Sequence, residues 1–286
     1  MNYYFSIPGL QKNFEINKKL LNLFEKHPEM INDGVVVEAV YGSFPMAIWN
    51  GGRVISGEYT NAMMAENIIN YFNNRGISCR YTFTNCLLEE KHLDDTWCNT
   101  LLKIGDNGIN AVIVNSDLLN NYIREKYPNY PRISSITKVI RSIEEFNTEC
   151  ERDFSVCVLL CDFNNRFDEL AKIKCPQKAE ILVNEYCIPN CTLREEHYAA
   201  YSEAQLNFRD SSDFNKCPAR TNFINTKDRP HFISYQDIVE KYAPMGFKHF
   251  KINGRTLYKK ETLIGAYLEY FIKPEWHVTA RLLLEN

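Results

Sequence analysis

No stretch of the chain approaches eighteen uninterrupted apolar residues, which excludes an ordinary membrane-spanning helix. The first eight residues lack a charged segment followed by an apolar one, so no signal peptide is expected and the cytoplasm is the expected compartment. Excess basic charge is missing too. A formal net charge of −3 argues against an extended nucleic-acid surface and leaves room only for a local basic pocket. There is no GxGxxG after the first strand-like run, no HExxH, no GxSxG and no GxxxxGK[ST]. These absences tell against dinucleotide binding of the doubly wound kind, zinc-protease chemistry, a nucleophile elbow and a P-loop. No low-complexity linker divides residues 1–286, so one domain is expected.

What is present is a long alternation of two periodicities. Apolar strand-like runs fall at 3–7, 35–41, 78–84, 111–115, 132–136, 155–162, 179–185 and 249–253. Helical spacing occupies 14–25, 61–75, 118–126, 138–147, 167–172, 192–206, 234–242 and 257–271; in the first of these Ile16, Leu20, Leu21 and Phe24 share a face. Eight strands, each followed by a helix, in a chain of 286 residues predict an α/β fold of the (β/α)8 TIM-like barrel type. The competing architecture is an open doubly wound sheet. Residues 207–229 show no periodicity and read as an irregular, lid-like insertion. Residues 43–59, with Trp49, read either as a surface turn or as a loop covering the mouth.

Ten cysteines are many for such a chain. Several, including Cys79, Cys157 and Cys161, fall inside strand-like runs, so reduced thiols are expected and most would be buried small hydrophobes. Cys187 and Cys191 differ, because they share one loop just past the largely apolar run 179–183. Cys217, in Lys216-Cys217-Pro218, can add a third sulfur. Three thiolates meeting at a strand end point to a metal or iron–sulfur site, with zinc the alternative to iron–sulfur. His197 is either a further ligand or a helix-surface histidine, and a cysteine–histidine nucleophilic pair stays open.

If the barrel closes, strand C-termini converge on one mouth, where barrel enzymes keep their sites. They would bring Asn85, Asn115, Thr137, Asn184 and Asn253 together as a substrate-binding ring, with Asp162 and Glu185 as its carboxylates. Amides and hydroxyls both donate and accept, which suits a neutral, oxygen-rich ligand.

Two segments carry a family resemblance. One is Asn184-Glu185-Tyr186-Cys187-Ile188-Pro189-Asn190-Cys191; the other is Phe250-Lys251-Ile252-Asn253-Gly254-Arg255 ahead of a tyrosine-rich helix. Both are similar to segments of the collagenase-like, U32-type peptidase family. The resemblance implies a TIM-like barrel and, as in several members, a 4Fe-4S cluster on four cysteines that supports hydroxylation of small molecules or RNA bases. It implies Cys187 and Cys191 as cluster ligands, Cys217 as the third, and Lys251 and Arg255 as substrate- or structure-positioning cations; with the mouth carboxylates Glu185 and Asp162 these two are the candidate catalytic residues of an enzyme acting on a small molecule or nucleoside. Cys86, Cys161, Cys175 and His197 compete for the fourth ligand. Asn253 stands where the family pattern has Glu, which removes a carboxylate there. An iron–sulfur enzyme of this kind would also need an electron donor or protein partner. The other readings are an accessory barrel with structural zinc and a peptidase-like hydrolase.

Overall fold

Residues Ala111–Val114 are buried at every position, the mark of a parallel strand covered by helices on one face and by a packed lumen on the other. The computed structural model describes residues 1–52, 59–209, 214, 216–217, 226–254 and 260–285. Its strands are β1 (Tyr3–Pro8), β2 (Val35–Gly42), β3 (Ser78–Phe83), β4 (Ala111–Val114), β5 (Arg132–Ser134), β6 (Val156–Val158), β7 (Ala179–Leu182) and β8 (His249–Lys251). They form a closed parallel barrel in chain order, with β8 pairing back onto β1. Closure decides against the open sheet, since no edge is left.

The helices are α1 (Phe14–Lys26), α2 (Ala62–Asn73), α3 (Thr96–Ile104), α4 (Asp117–Lys126), α5 (Ile143–Glu151), the short α6 (Phe167–Leu170), α7 (Arg194–Leu206), α8 (Tyr235–Asp237, continued as a π-turn over Ile238–Tyr242), α9 (Lys260–Phe271) and α10 (His277–Glu285). Side-chain caps start several of them: Asn61 accepts from Met64 N at 2.9 Å, Asp95 from Cys98 N at 2.7 Å and Ser142 from Glu145 N at 3.2 Å. Helical spacing at 138–147 predicts a helix that in fact begins later. Val139 adopts a left-handed φ of 54°, which ends a 3-10 turn, and Ser142 then caps α5. The strand expected over 155–162 stops at Val158, and a 3-10 turn at Cys161–Phe163 carries the chain off the barrel. Helices α3 and α10 lie outside the spans marked by apolar spacing. None of the described helices is long and apolar enough to cross a membrane.

Alternate strand residues face two cores. Phe5, Ile7, Val112, Val114, Ile181 and Phe250 join the helices in the main core. Tyr41, Ala111, Ile113, Ile133, Val156 and Val158 form a separate cluster in the lumen. That cluster comes mostly from β4, β5 and β6, so one half of the lumen is apolar.

The other half is charged. Glu180 of β7, with no exposed surface, accepts from Ser6 Oγ at 2.6 Å, Arg80 Nη1 at 2.9 Å and Lys251 Nζ at 2.9 Å. Arg80 also meets Glu38 at 3.1 Å, and Glu38 meets His249 Nδ1 at 2.9 Å. Glu38 is the extra residue where the β1–β2 register slips, Phe5 facing Val37 and Ser6 facing Ala39. Such a bulge re-aims a side chain.

Burial alone would raise the pKa of Glu180, but Lys251 and Arg80, with Ser6, bring it down to about 2. A depressed carboxylate adds stability above its unfolded pKa of ~4.3 and loses it as pH falls through the folded value. We therefore expect acid unfolding to steepen between about pH 4 and pH 2, and Glu180→Ala to lower stability at neutral pH by ~3–5 kcal/mol, because two cations stay buried. Urea titration checks both. The pair Glu180→Leu with Lys251→Met, which removes one charge of each sign, should cost less than Glu180→Ala.

Candidate functional site

At the C-terminal end of β7 the chain leaves the barrel through Asn184 and Glu185, and these two residues tie it to β8. Asn184 Oδ1 accepts from Asn253 N at 2.6 Å and its Nδ2 donates to Asn253 O at 3.2 Å. Glu185 Oε1 accepts from Tyr186 N at 2.6 Å, Cys187 N at 3.0 Å and Asn253 Nδ2 at 3.0 Å. One carboxylate oxygen thus sets the direction of the cysteine loop. The loop's far side is pinned by Asp162, whose Oδ1 accepts from Asn190 N at 3.0 Å. Asn190 itself is left-handed, φ 51°.

A guanidinium lies at the centre of this arrangement. Arg194 donates from Nη1 to Asp162 Oδ2 at 3.1 Å and from Nη2 to Asp162 Oδ1 at 3.2 Å, a two-pronged pair with side chains 3% and 5% exposed. It also donates to Ile188 O at 3.2 Å and reaches Cys161 Sγ at 3.7 Å. The same guanidinium acts on Cys187, and Cys191, buried, shares its loop. Burial, then the charge of Glu185, pushes the Cys187 thiol up to about 11 against the pull of Arg194. Burial and Glu185 also hold Cys161 well above the ordinary thiol range.

Beside this group His231 is 2% exposed, with Nε2 3.3 Å from Glu185 O and Nδ1 lacking a hydrogen-bond partner. Burial lowers its pKa, which favours the neutral ring. Asn164 anchors it by donating to His231 O at 2.8 Å and to Leu182 O at 2.8 Å.

Helix α7 does not sit in the outer ring, as a helix following the seventh strand would. Its first turn meets the loops after β5 and β6, through Glu195 with Arg141 at 3.2 Å and Arg194 with Asp162. Its last turns meet the loops after β2 and β3. Ser202 O accepts from Asn85 Nδ2 at 3.2 Å, Ser202 Oγ accepts from Cys86 N at 3.2 Å, and Gln205 Nε2 donates to Ala47 O at 3.1 Å. Strands β6 and β2 stand on opposite sides of the barrel, and 13 residues of helix span about 20 Å. Helix α7 therefore bridges the mouth as a roof. Its fully buried residues, Arg194, Ser202 and Gln205, are all polar, because it rests mainly on strand ends, with the half-buried Tyr198 touching the main core. Gly52, at φ 73°, lets the loop after β2 run against it, since a side chain there would strike Tyr201 backbone at 2.8 Å.

The expected residues are distributed unevenly about this mouth. Asn184, Asn253, Glu185, Asp162, Cys187 and Cys191 come together. Asn115 and Thr137 pair with each other, Nδ2 to Oγ1 at 2.9 Å, on the rim at β4 and β5. Asn85 is fully buried and engaged with Ile48 O, Ser202 O and Leu87 N. Lys251 lies below the mouth, in the lumen, held by Glu180 and facing the Tyr41 ring at 4.1 Å. Arg255 and most of 207–229 lie outside the described residues. Cys217 is half-buried in a short described piece whose neighbours Phe214 and Lys216 touch His197 and Glu196 of α7. Cys175 stands at the opposite end of β7 from the cysteine loop, against Cys150. In the described part of the loop after β2, Phe44, Trp49 and Asn50 are fully buried, with Trp49 Nε1 donating to His92 O at 2.7 Å.

Glu180, Arg80, Arg194 and His231 escaped the sequence reading. A visible signal existed for the first two, since a charge inside an otherwise apolar barrel strand must face a lumen partner. For Arg194 and His231 there was none. Two thiols in one loop supply soft donors for iron–sulfur or zinc, yet Cys187 is turned toward Arg194. Among the described residues no group of three His, Cys, Asp or Glu side chains is arranged to hold a metal ion. All ten cysteines are free.

No family model matches the sequence, and no curated protein matches it. Among solved structures the chain is similar to the U32 peptidase Mk0906, with a TM-score of 0.55 and 13% identity over 89% of this chain and 94% of that one. The likeness is one of fold: a single TIM barrel of the U32 peptidase shape.

Asp162→Ala should leave Arg194 buried without its partner and lower stability by ~3–5 kcal/mol. It should also free residues 187–191, seen as faster proteolysis there while the barrel strands stay protected from hydrogen exchange.

Proposed function

We propose that the chain is a barrel enzyme acting on a small, oxygen-rich molecule, of nucleoside-like polarity, at the C-terminal mouth. In this reading Cys187 and Cys191, with Cys217, hold an iron–sulfur cluster beside the substrate. The observation that carries it is the placing of Cys161 and Cys187 at one guanidinium at the strand ends, with Cys191 beside Cys187. Buried thiols packed only for volume have no need of a cation. Thiolates do, and hydrogen bonds to sulfur together with net charge set the potential of such a cluster.

The cluster, when bound, would supply one-electron chemistry. The chain's own residues then have defined tasks. Asp162 and Glu185 fix the loop that presents the thiols. Arg194 balances thiolate charge. Asn184 and Asn253, braced against each other, fix the rim on one side, with Asn115 and Thr137 on the other. Ligation must remove the proton that Cys187 keeps up to about pH 11, so loading releases protons and weakens on acidification. Ten unpaired thiols suit the reducing cytoplasm. An electron donor is the partner this reading needs.

Anaerobic purification with metal analysis and an absorption spectrum tests it. Iron with sulfide and a broad visible band is expected, and zinc without colour would point to the structural-zinc alternative. Cys187→Ser should abolish metal content. Cys79→Ser and Cys157→Ser should keep it, at the ~1–3 kcal/mol cost of a buried polar swap. A wild type with no metal under these conditions overturns the cluster.

A further inference from the structure

We infer that α7 is the specificity element of this barrel: it limits the mouth to small molecules, admitted when its Ser202–Gln205 end lifts, and shuts out polypeptide and nucleic-acid chains. The inference rests on the reading of the mouth as the site, and it deepens that reading by excluding polymeric substrates.

The two ends of α7 are fastened differently. At the Arg194 end a buried two-pronged ion pair with Asp162 is joined by a bond to Ile188 O. Breaking it would strand a charge away from water, so this end is the pivot. At the other end the ties are neutral hydrogen bonds, to Asn85, Cys86 and Ala47. Each can be exchanged for a bond to water at small net cost. The fully buried side chains of α7 are polar and the half-buried Tyr198 makes its contact with the main core, so lifting the Ser202–Gln205 end exposes little apolar surface and carries a small hydrophobic penalty. Elements with few buried apolar contacts are the ones that open locally while the rest of a fold stays intact. Closed, the helix spans from the β6 side to the β2 side, and a polymer could not thread beneath it without displacing both ends.

Cys86 reports the lifting directly, because its Sγ lies 3.4 Å from Ser202 Oγ, under the releasing end. The test measures alkylation of Cys86 by peptide-resolved mass spectrometry, in the full chain, with iodoacetamide and with a 5-kDa polyethylene-glycol maleimide (reagent size chosen as about that of a small polymer). Rates are normalised to each reagent's rate on glutathione. Iodoacetamide should reach Cys86 slowly in the wild type and about tenfold faster in the double variant Ser202→Ala, Gln205→Ala, three neutral hydrogen bonds having been removed. Hydrogen exchange of strands β3 and β4 should not change. The large reagent should lag the small one in the wild type by about tenfold or more.

Equal rates for the two reagents, or no acceleration in the double variant, overturn the proposal. So does acceleration that the barrel strands share, since that would be global loosening. The experiment needs no substrate and no metal, so its failure leaves the reading of the mouth to be judged by metal content alone.

Discussion

The barrel is organised about one buried carboxylate. Glu180 has no solvent contact and is met by Ser6 from β1, Arg80 from β3 and Lys251 from β8. A lone charge in that position would be expelled or neutralised, so the four strands are obliged to bring their polar residues to one side of the lumen. The apolar residues of β4, β5 and β6 fill the other side. Closure between β8 and β1 is thus a matter of charge satisfaction as much as of backbone pairing, and it fixes the strand ends from which the mouth is built.

Arg194 repeats the theme one level higher. It too is a buried charge held by a counter-ion, Asp162, and against it lie Cys161, Cys187 and the first turn of α7. The same side chain therefore links the cysteine loop to the roof. In the proposed reading, chemistry at the thiols and movement of the helix share this one anchor. Polar burial on α7 is the structural signature of that arrangement, since a helix of the outer ring would turn an apolar stripe inward, as α1 does with Ile16, Leu20 and Leu21.

Much of this was legible in the residues. The eight apolar runs mark the eight strands, because burial on both faces leaves little choice of side chain. Asn184, Glu185 and Asn253 were readable as mouth residues from their places at strand ends. Glu180 could have been read as well: it interrupts the run 179–183, and an ionised group in a buried strand demands a partner. What could not be read was the partner itself, since Arg80 is 100 residues away and only closure sets the two 2.9 Å apart. The spacing of Cys187 and Cys191 shows that they share a loop but not that an arginine stands among them.

The sequence alone determined the strand and helix periodicities, their order, and so the barrel, for these depend on local pattern and on the alternation of two lengths of repeat. Helix formation at 192–206 was equally local. Where that helix lies was decided only by the tertiary structure. Its polar face finds partners on loops after β2, β3, β5 and β6, sequence neighbours of none of its residues. Hydrogen bonds and ion pairs across a closed barrel join residues far apart along the chain, and no periodicity encodes which of them will meet.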